Sequence, residues 1–304
     1  MKRYIAFQLW LLLLTASLIA ACSPSPDPGS ETGKLKVVAT SSILADVVRV
    51  IGGEQINLIQ LLPQGSDPHS YSPTPQDLVK ISDAEVIFSN GLGLEALLDP
   101  LFESAGIADR VVPVSDGITT IQIDNGKGGQ DPHTWTDPNN VLLWVDNIEK
   151  TLIELDPDNE KNYQANAESY RRELMELDDW IRNRTDQIPE EQRNIITDHL
   201  IFGYFANQYG FTQAGTIIPG YSSLAEPSAQ SLAELEATIN KLGVKVIFVG
   251  ENVNPDLAER IAEDTGTKLV FLFTGSLSEQ GGDADTYVKY MRHNTNAIVE
   301  SMKE

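Results

Sequence analysis

DPDNEKNYQANAESYRRELMELDDWIRNR, residues 156–184, is the stretch that decides the fold. Asp156 is a good helix N-cap, and Pro157 suits the first helical position. After Pro157 neither glycine nor proline interrupts the segment up to Arg184. Tyr163, Ala167, Tyr170, Leu174, Leu177 and Ile181 recur at three- and four-residue steps, the apolar stripe of a one-sided helix. About 28 residues of helix would run roughly 42 Å at 1.5 Å per residue. That is long for a globular domain and suits a rigid strut between two lobes.

On both sides of this strut, β-prone apolar runs alternate with helical patterns. Before it, Leu35–Ala39, Ile56–Leu62, Val86–Ser89 and Val111–Val114 read as strands, with helical segments at Ile43–Ile51 and Gln76–Ile81. After it, Asn194–Thr197, Thr212–Ile218, Val244–Val249 and Lys268–Phe273 read as strands. Helical patterns there fall at Phe202–Tyr209, Ser231–Leu242, Pro255–Glu263 and Ala284–Met302. Such alternation implies parallel sheets flanked by helices. The expected fold is therefore α/β, with two lobes, each a mainly parallel sheet flanked by helices, joined by one long rigid helix. The lobes are placed at residues 35–155 and 188–304, and the linking helix at 156–187. No repeat of fixed period is seen. Open α/β sheets bind ligands at the carboxyl ends of their strands, so the cleft between the lobes is the expected site.

The first 21 residues read as a leader that would be removed. Lys2 and Arg3 precede an apolar stretch from Ile5 to Ala21, which ends at Cys22, the only cysteine in the chain. Leu18-Ile19-Ala20-Ala21-Cys22 resembles a bacterial lipobox, in which the cysteine is lipidated and becomes the mature N-terminus. An ordinary signal peptide or a membrane anchor is the alternative. One cysteine leaves none for disulfides or a thiolate metal site. Residues 22–34 are rich in Ser, Pro and Gly and read as a flexible tether. The folded part is expected outside the membrane, held to it through the N-terminal lipid. The formal charge is −22 over 304 residues, and −24 without Lys2 and Arg3. So acidic a chain argues against nucleic acid and anionic membrane surfaces as partners, because both need a basic patch.

Chemistry-bearing residues are few. The chain has four histidines, at 69, 133, 199 and 293. Two sit in the same tripeptide, Asp67-Pro68-His69 and Asp131-Pro132-His133, each followed two residues on by an aromatic, Tyr71 and Trp135. The proline stiffens the approach to each histidine. The aspartate can hold the local backbone or accept an imidazole N–H. A lone Asp-Pro-His is more often an exposed turn; two copies among four histidines point towards a shared role. His199 follows the strand Asn194–Thr197, at the strand end where α/β folds place ligand groups. His293 lies within the last helical pattern and reads as a packing or surface residue. Three imidazoles from separate loops suit zinc, copper, iron or nickel, and leave a fourth position open.

In this order and spacing, these motifs resemble the metal-binding lipoproteins of bacterial zinc and manganese ABC importers. The resemblance covers nearly all of the mature chain. Val37-Val38-Ala39-Thr40-Ser41-Ser42 is similar to the opening strand of that family. Gly65–Pro75, Asp131–Pro138 and Thr197–Phe205 are similar to its three histidine-bearing segments, and Gly281–Tyr287 with Met291–Asn294 to its closing helix. The resemblance implies two lobes on one long helix with the metal between them. It implies His69 and His133 as ligands from the first lobe and His199 from the second. The partners it implies are a permease and an ATPase; we expect the binding protein itself to be a monomer. One departure stands out. Where many members carry an aspartate ligand in a Thr-Asp-Ser stretch, this chain reads Thr274-Gly275-Ser276. Glu251 is then a candidate for the fourth place or for a supporting role beside it. Loss of a hard oxygen ligand favours zinc, with manganese as the alternative cargo. The long His- and acid-rich loop of some zinc members is absent, and Ile123–Gln130 holds only a short Gly-rich turn.

Two other functions remain open from sequence. An adhesin-like member with a degenerate metal site would need only the fold. A zinc hydrolase would need a placed general base, and no His-Glu motif supplies one.

Overall fold

The computed structural model describes residues 33–122 and 129–303. The leader, Cys22 and all of the tether except Gly33 and Lys34 lie outside the described residues, as do residues 123–128 of the Gly-rich turn. The alternation of strand and helix yields two four-stranded sheets. In the first, β1 (Leu35–Ala39), β2 (Ile56–Gln60), β3 (Val86–Ser89) and β4 (Val111–Pro113) lie in the order β2-β1-β3-β4, all parallel. In the second, β5 (Asn194–Thr197), β6 (Thr212–Thr216), β7 (Val246–Gly250) and β8 (Lys268–Leu272) lie in the order β6-β5-β7-β8, again all parallel. The two halves thus repeat one strand order without any periodic sequence. Around them run α1 (Ser42–Gly52), α2 (Pro75–Ser82), α3 (Asp99–Ala105), α4 (Pro138–Leu155), α5 (Glu160–Thr185), α6 (Gly203–Tyr209), α7 (Ala229–Leu242), α8 (Asp256–Thr265) and α9 (Tyr287–Lys303).

Strand residues alternate between two destinations, as the two-residue period of a strand requires. Val37, Ala39, Val86 and Phe88 face one core, and Val38 and Ile87 face another formed with Leu61, Ile81 and Phe102. The second sheet does the same: Ile195, Val246 and Phe248 join the first core, while Ile196, Ile247 and Val249 meet Ile239 and Ile261 behind it. The inner faces of both sheets therefore share one continuous apolar core with α1, α4, α5, α6 and α9.

The expected long helix between the two sheets is present, but it starts later than Pro157. Asp156 does not cap a helix that begins at Pro157. Its backbone N–H closes α4 on Leu152 O, and its side chain accepts from Asn159 Nδ2 and Tyr163 OH. Pro157–Asn159 forms one tight 3-10 turn, and the long helix starts at Glu160. Its 26 residues give a length of about 39 Å. It pairs antiparallel with α4, through Asn139–Asp178 near one end and Arg171–Asp146 between. The long helix thus forms a helical hairpin with α4, the last helix of the first lobe. Along α5, Asn166 Nδ2 donates to Ile51 O in the first half and Arg184 Nε donates to Asn296 Oδ1 in the second.

The anticipated stripe is buried: Tyr163, Ala167, Leu174, Leu177 and Ile181 are each fully covered. Truncating Leu174 to alanine should therefore lower stability by about 2–5 kcal/mol, read from urea unfolding of the apo protein. A loss under about 1 kcal/mol would mean that α5 is not part of the core.

Candidate metal site

Each histidine is delivered by the segment that follows a strand. His69 sits on the loop after β2, His133 on the segment after β4 and directly before the 3-10 turn Thr134–Thr136, and His199 two residues past β5. The three ligand nitrogens lie within 4.8 Å of one another. Ring centroids are 5.1 Å apart for His69–His133, 5.4 Å for His69–His199 and 5.2 Å for His133–His199. His69 Nε2 stands 3.0 Å from His133 Nε2. Tetrahedral zinc holds nitrogens at about 2.0–2.1 Å, which sets them roughly 3.3 Å from each other, so any pair near the 4.8 Å limit must close on binding. The imidazoles enclose a chamber of about 10 Å³ that Pro68, Trp135, Asn252 and Gly275 also line.

Carboxylates fix which nitrogen of each ring faces inward. Asp131 Oδ1 accepts both the backbone N–H of His133, at 2.9 Å, and its ring Nδ1–H, at 2.8 Å. Asp198 Oδ1 does the same for His199, with both distances 2.5 Å, and its Oδ2 accepts from Gly250 N. With Nδ1 protonated and engaged, each Nε2 is left as the lone pair that points into the chamber. His199 Nε2 is buried and has no hydrogen-bond partner. A buried polar atom left in that way calls for a ligand. The His69 loop is organised differently: Asp67 Oδ1 accepts the His69 backbone N–H and leaves the ring free. So the two Asp-Pro-His motifs share a backbone role for aspartate, and only the second also orients its imidazole.

Burial governs the ionisation of the cluster. It pushes His69 down to about 4, with His199 adding to the effect, and holds His133 well below the usual imidazole range. The Asp131 carboxyl is pushed up to about 8 by the same burial. In each case the low-dielectric surroundings disfavour the charged form.

Two residues fall elsewhere. Glu251 is exposed and lines a neighbouring cavity of about 300 Å³ with Gly65 and Ser276; it is not in the histidine cluster. The chain turns away at β7's end, and Asn252, not Glu251, reaches the chamber. His293 packs edge-on against Phe273, at 5.2 Å between centroids, as a packing residue. Asp198 was not singled out from sequence, although an aspartate directly before a candidate ligand is the signal that marks it. Substituting Asp198 with alanine frees the His199 ring and should weaken zinc binding about 10–100-fold, measured by chelator competition. Unchanged affinity would mean that its contact to His199 is dispensable.

Comparison with known proteins extends these observations over the chain. The family model described as zinc-uptake complex component A, periplasmic, matches residues 37–301. The chain is 34% identical over 297 residues to the manganese-binding lipoprotein MntA of Halalkalibacterium halodurans, covering 97% of this chain and 98% of that one. It is 33% identical over 303 residues to the manganese ABC transporter substrate-binding lipoprotein PsaA of Streptococcus pneumoniae, covering 97% of each. Among solved structures, the periplasmic zinc binding protein TroA of Treponema pallidum is similar with a TM-score of 0.83 at 28% identity, over 89% of this chain and 99% of that one. A Mn-bound periplasmic metal binding protein of Candidatus Liberibacter asiaticus is similar with a TM-score of 0.79 at 26% identity, over 88% and 100%.

Proposed function

The chain belongs to the zinc-uptake complex component A family, and from that premise we propose that it is the substrate-binding lipoprotein of an ABC importer, capturing one divalent transition metal ion on His69, His133 and His199. The observation that carries this reading is the convergence of three ring nitrogens within 4.8 Å, with His199 Nε2 buried and unpartnered. Electrostatics support it. The buried imidazoles resist protonation and so stay available as neutral ligands, while Asp131 and Asp198 engage Nδ1 of His133 and His199 and leave Nε2 of each facing the chamber.

Zinc is proposed ahead of manganese. Three of the four named proteins carry manganese in their names and one carries zinc, so the preference for zinc rests on this chain's own donor set. Three imidazoles with no carboxylate among the clustered ligand atoms suit zinc, whereas manganese favours oxygen ligands. The ion is cargo, passed to a permease driven by an ATPase. The protein acts as a monomer outside the cytoplasm, held to the membrane by lipid on Cys22. The role is carriage and not catalysis: the aspartates beside the ligand histidines are already spent on orienting two of the rings, which leaves neither free as a general base.

Titrating the full chain with zinc and with manganese tests this. One zinc per chain, bound more tightly than manganese, is expected. Stoichiometry near zero for both would remove the reading, and tighter manganese would reverse the preference.

A further inference from the structure

Glu95 is a buried carboxylate that the histidine cluster does not use. It sits on the segment after β3, where three successive residues take left-handed backbone: Gly91 at φ 83°, Leu92 at 56° and Gly93 at 81°. Leu92 is the one non-glycine with positive φ among the described residues. Such strain persists only where the surroundings impose it. Here the bend folds Glu95 back onto the backbone it has just left. Its Oε1 accepts Asn90 N–H at 2.6 Å, and its Oε2 accepts Gly91 N–H at 3.1 Å. Thr40 Oγ1, just past β1, donates to Oε1 at 2.8 Å. Two successive amides aimed at one anion make a nest. Asn90, so fixed, reaches the ligand segment. Its Nδ2 donates to Pro132 O at 2.8 Å and to Gly91 O at 3.0 Å. Two carbonyls facing one atom settle which end of the amide carries the N–H. Asn90 Oδ1 is left buried without a partner, so its surroundings, and not its own satisfaction, hold the side chain there.

We infer that Glu95 is a positioning residue for His133, acting through Asn90 to fix the Pro132–His133 peptide plane and so present Nε2 to the chamber before an ion arrives. This rests on the metal reading above and deepens it. Pro132 O and His133 N–H belong to one planar unit. Asn90 holds its oxygen edge, and Asp131 Oδ1 holds its N–H edge at 2.9 Å. The local turn adds Thr134 N–H on the same oxygen at 2.9 Å. With both edges held and ring Nδ1 on Asp131, the imidazole keeps little freedom. The His69 ring has no such carboxylate behind it, so preorganisation is concentrated on His133. The role needs both oxygens of Glu95. Each faces a backbone N–H, and a glutamine there would turn its own NH2 towards one of them. Removing the Asn90 side chain instead frees the oxygen edge and leaves the nest intact.

The test uses the full chain with E95Q and N90A, each alone and combined with H133A. Zinc affinity is read by chelator competition, ring tautomers by long-range proton–nitrogen NMR of the apo protein, and folding by thermal unfolding. Each single variant is expected to weaken zinc binding about tenfold or more. The His133 ring nitrogens should move towards the average of two tautomers, while those of His199 keep the Nδ1–H pattern. In the H133A background neither substitution should cost further affinity, because the ring they position is gone. Wild-type affinity and tautomer in either single variant would overturn the inference. So would an equal loss with and without His133, which would mean that Glu95 supports the lobe as a whole. If E95Q fails to fold, N90A decides alone, since it leaves the nest in place. If H133A binds too weakly to read, the His133 tautomer decides. A wild-type chain that binds no zinc would remove the metal reading, whereas the apo tautomers would still show whether Glu95 positions His133.

Discussion

Replacing His133 with alanine should weaken zinc binding by roughly two to three orders of magnitude, the largest effect of any single substitution in the chain. Zinc held by a full protein ligand set gains about 10–16 kcal/mol, so one ligand of three or four accounts for about 3–4 kcal/mol. That corresponds to a hundredfold to a thousandfold in dissociation constant. His133 is the best fixed of the three rings. It is fully buried, its Nδ1 is locked on Asp131, and its loop is pinned where Asn90 Nδ2 donates to Pro132 O at 2.8 Å. Chelator competition provides the measurement, and His293→Ala, which removes a ring packed on Phe273, provides the control. An H133A variant within threefold of wild type would show that the ion is held elsewhere.

The second large effect concerns pH. A site made of three exposed imidazoles, each titrating near 6.5, would lose affinity by three powers of ten per pH unit once well below that value. Here the slope should remain at one power of ten or less between pH 6.5 and 4.5, and steepen only below about pH 4. The sign follows from burial. The proton and the metal compete for the same lone pair, and desolvation disfavours the protonated ring, so the proton is the weaker competitor. His69 is pushed down to about 4, and burial holds His133 well below the usual imidazole range. Over this range zinc therefore displaces no proton from either ring. The gap from the exposed case exceeds a thousandfold by pH 5. Competition titrations at half-unit intervals would measure it, and a slope near three at pH 6 would contradict it. The same displacement acts on folding. The unfolded chain takes up a proton at His69 near pH 6.5 and the folded chain only near pH 4, so His69's contribution to apo stability falls as pH drops through that window.

Much of this arrangement is legible in local sequence. Alternating apolar runs gave both sheets, because a buried parallel strand needs apolar residues over its length and little else. Leu35–Ala39, Val86–Ser89 and Asn194–Thr197 match the structure residue for residue. The histidines were readable because they are scarce and because two share a tripeptide. Helix α4 carries a readable signal that we did not assign from sequence: Asp137-Pro138 opens it just as Asp156-Pro157 appeared to open the next, and Val141, Trp144, Val145, Ile148 and Leu152 are its buried stripe. What local sequence does not hold is the reversal between the two helices. Asp156 spends its carboxylate on Asn159 and Tyr163, a choice made by packing. The same limit applies to Asn90 on Pro132 and to Asn252 displacing Glu251 from the chamber. Such contacts join residues far apart in the chain, and no periodicity announces them.

Helix α9 lies against α1 and α5, and the carboxylate of Asp46 in α1 accepts the Tyr287 N–H at its first residue. The chain's last segment thus completes a layer begun by its first helix, over an interior that belongs to both halves at once. Neither half is then an autonomous piece. Cutting the gene before residue 287 would strip cover from strands at opposite ends of the sequence. Calorimetry of the intact protein should record one endotherm in place of two.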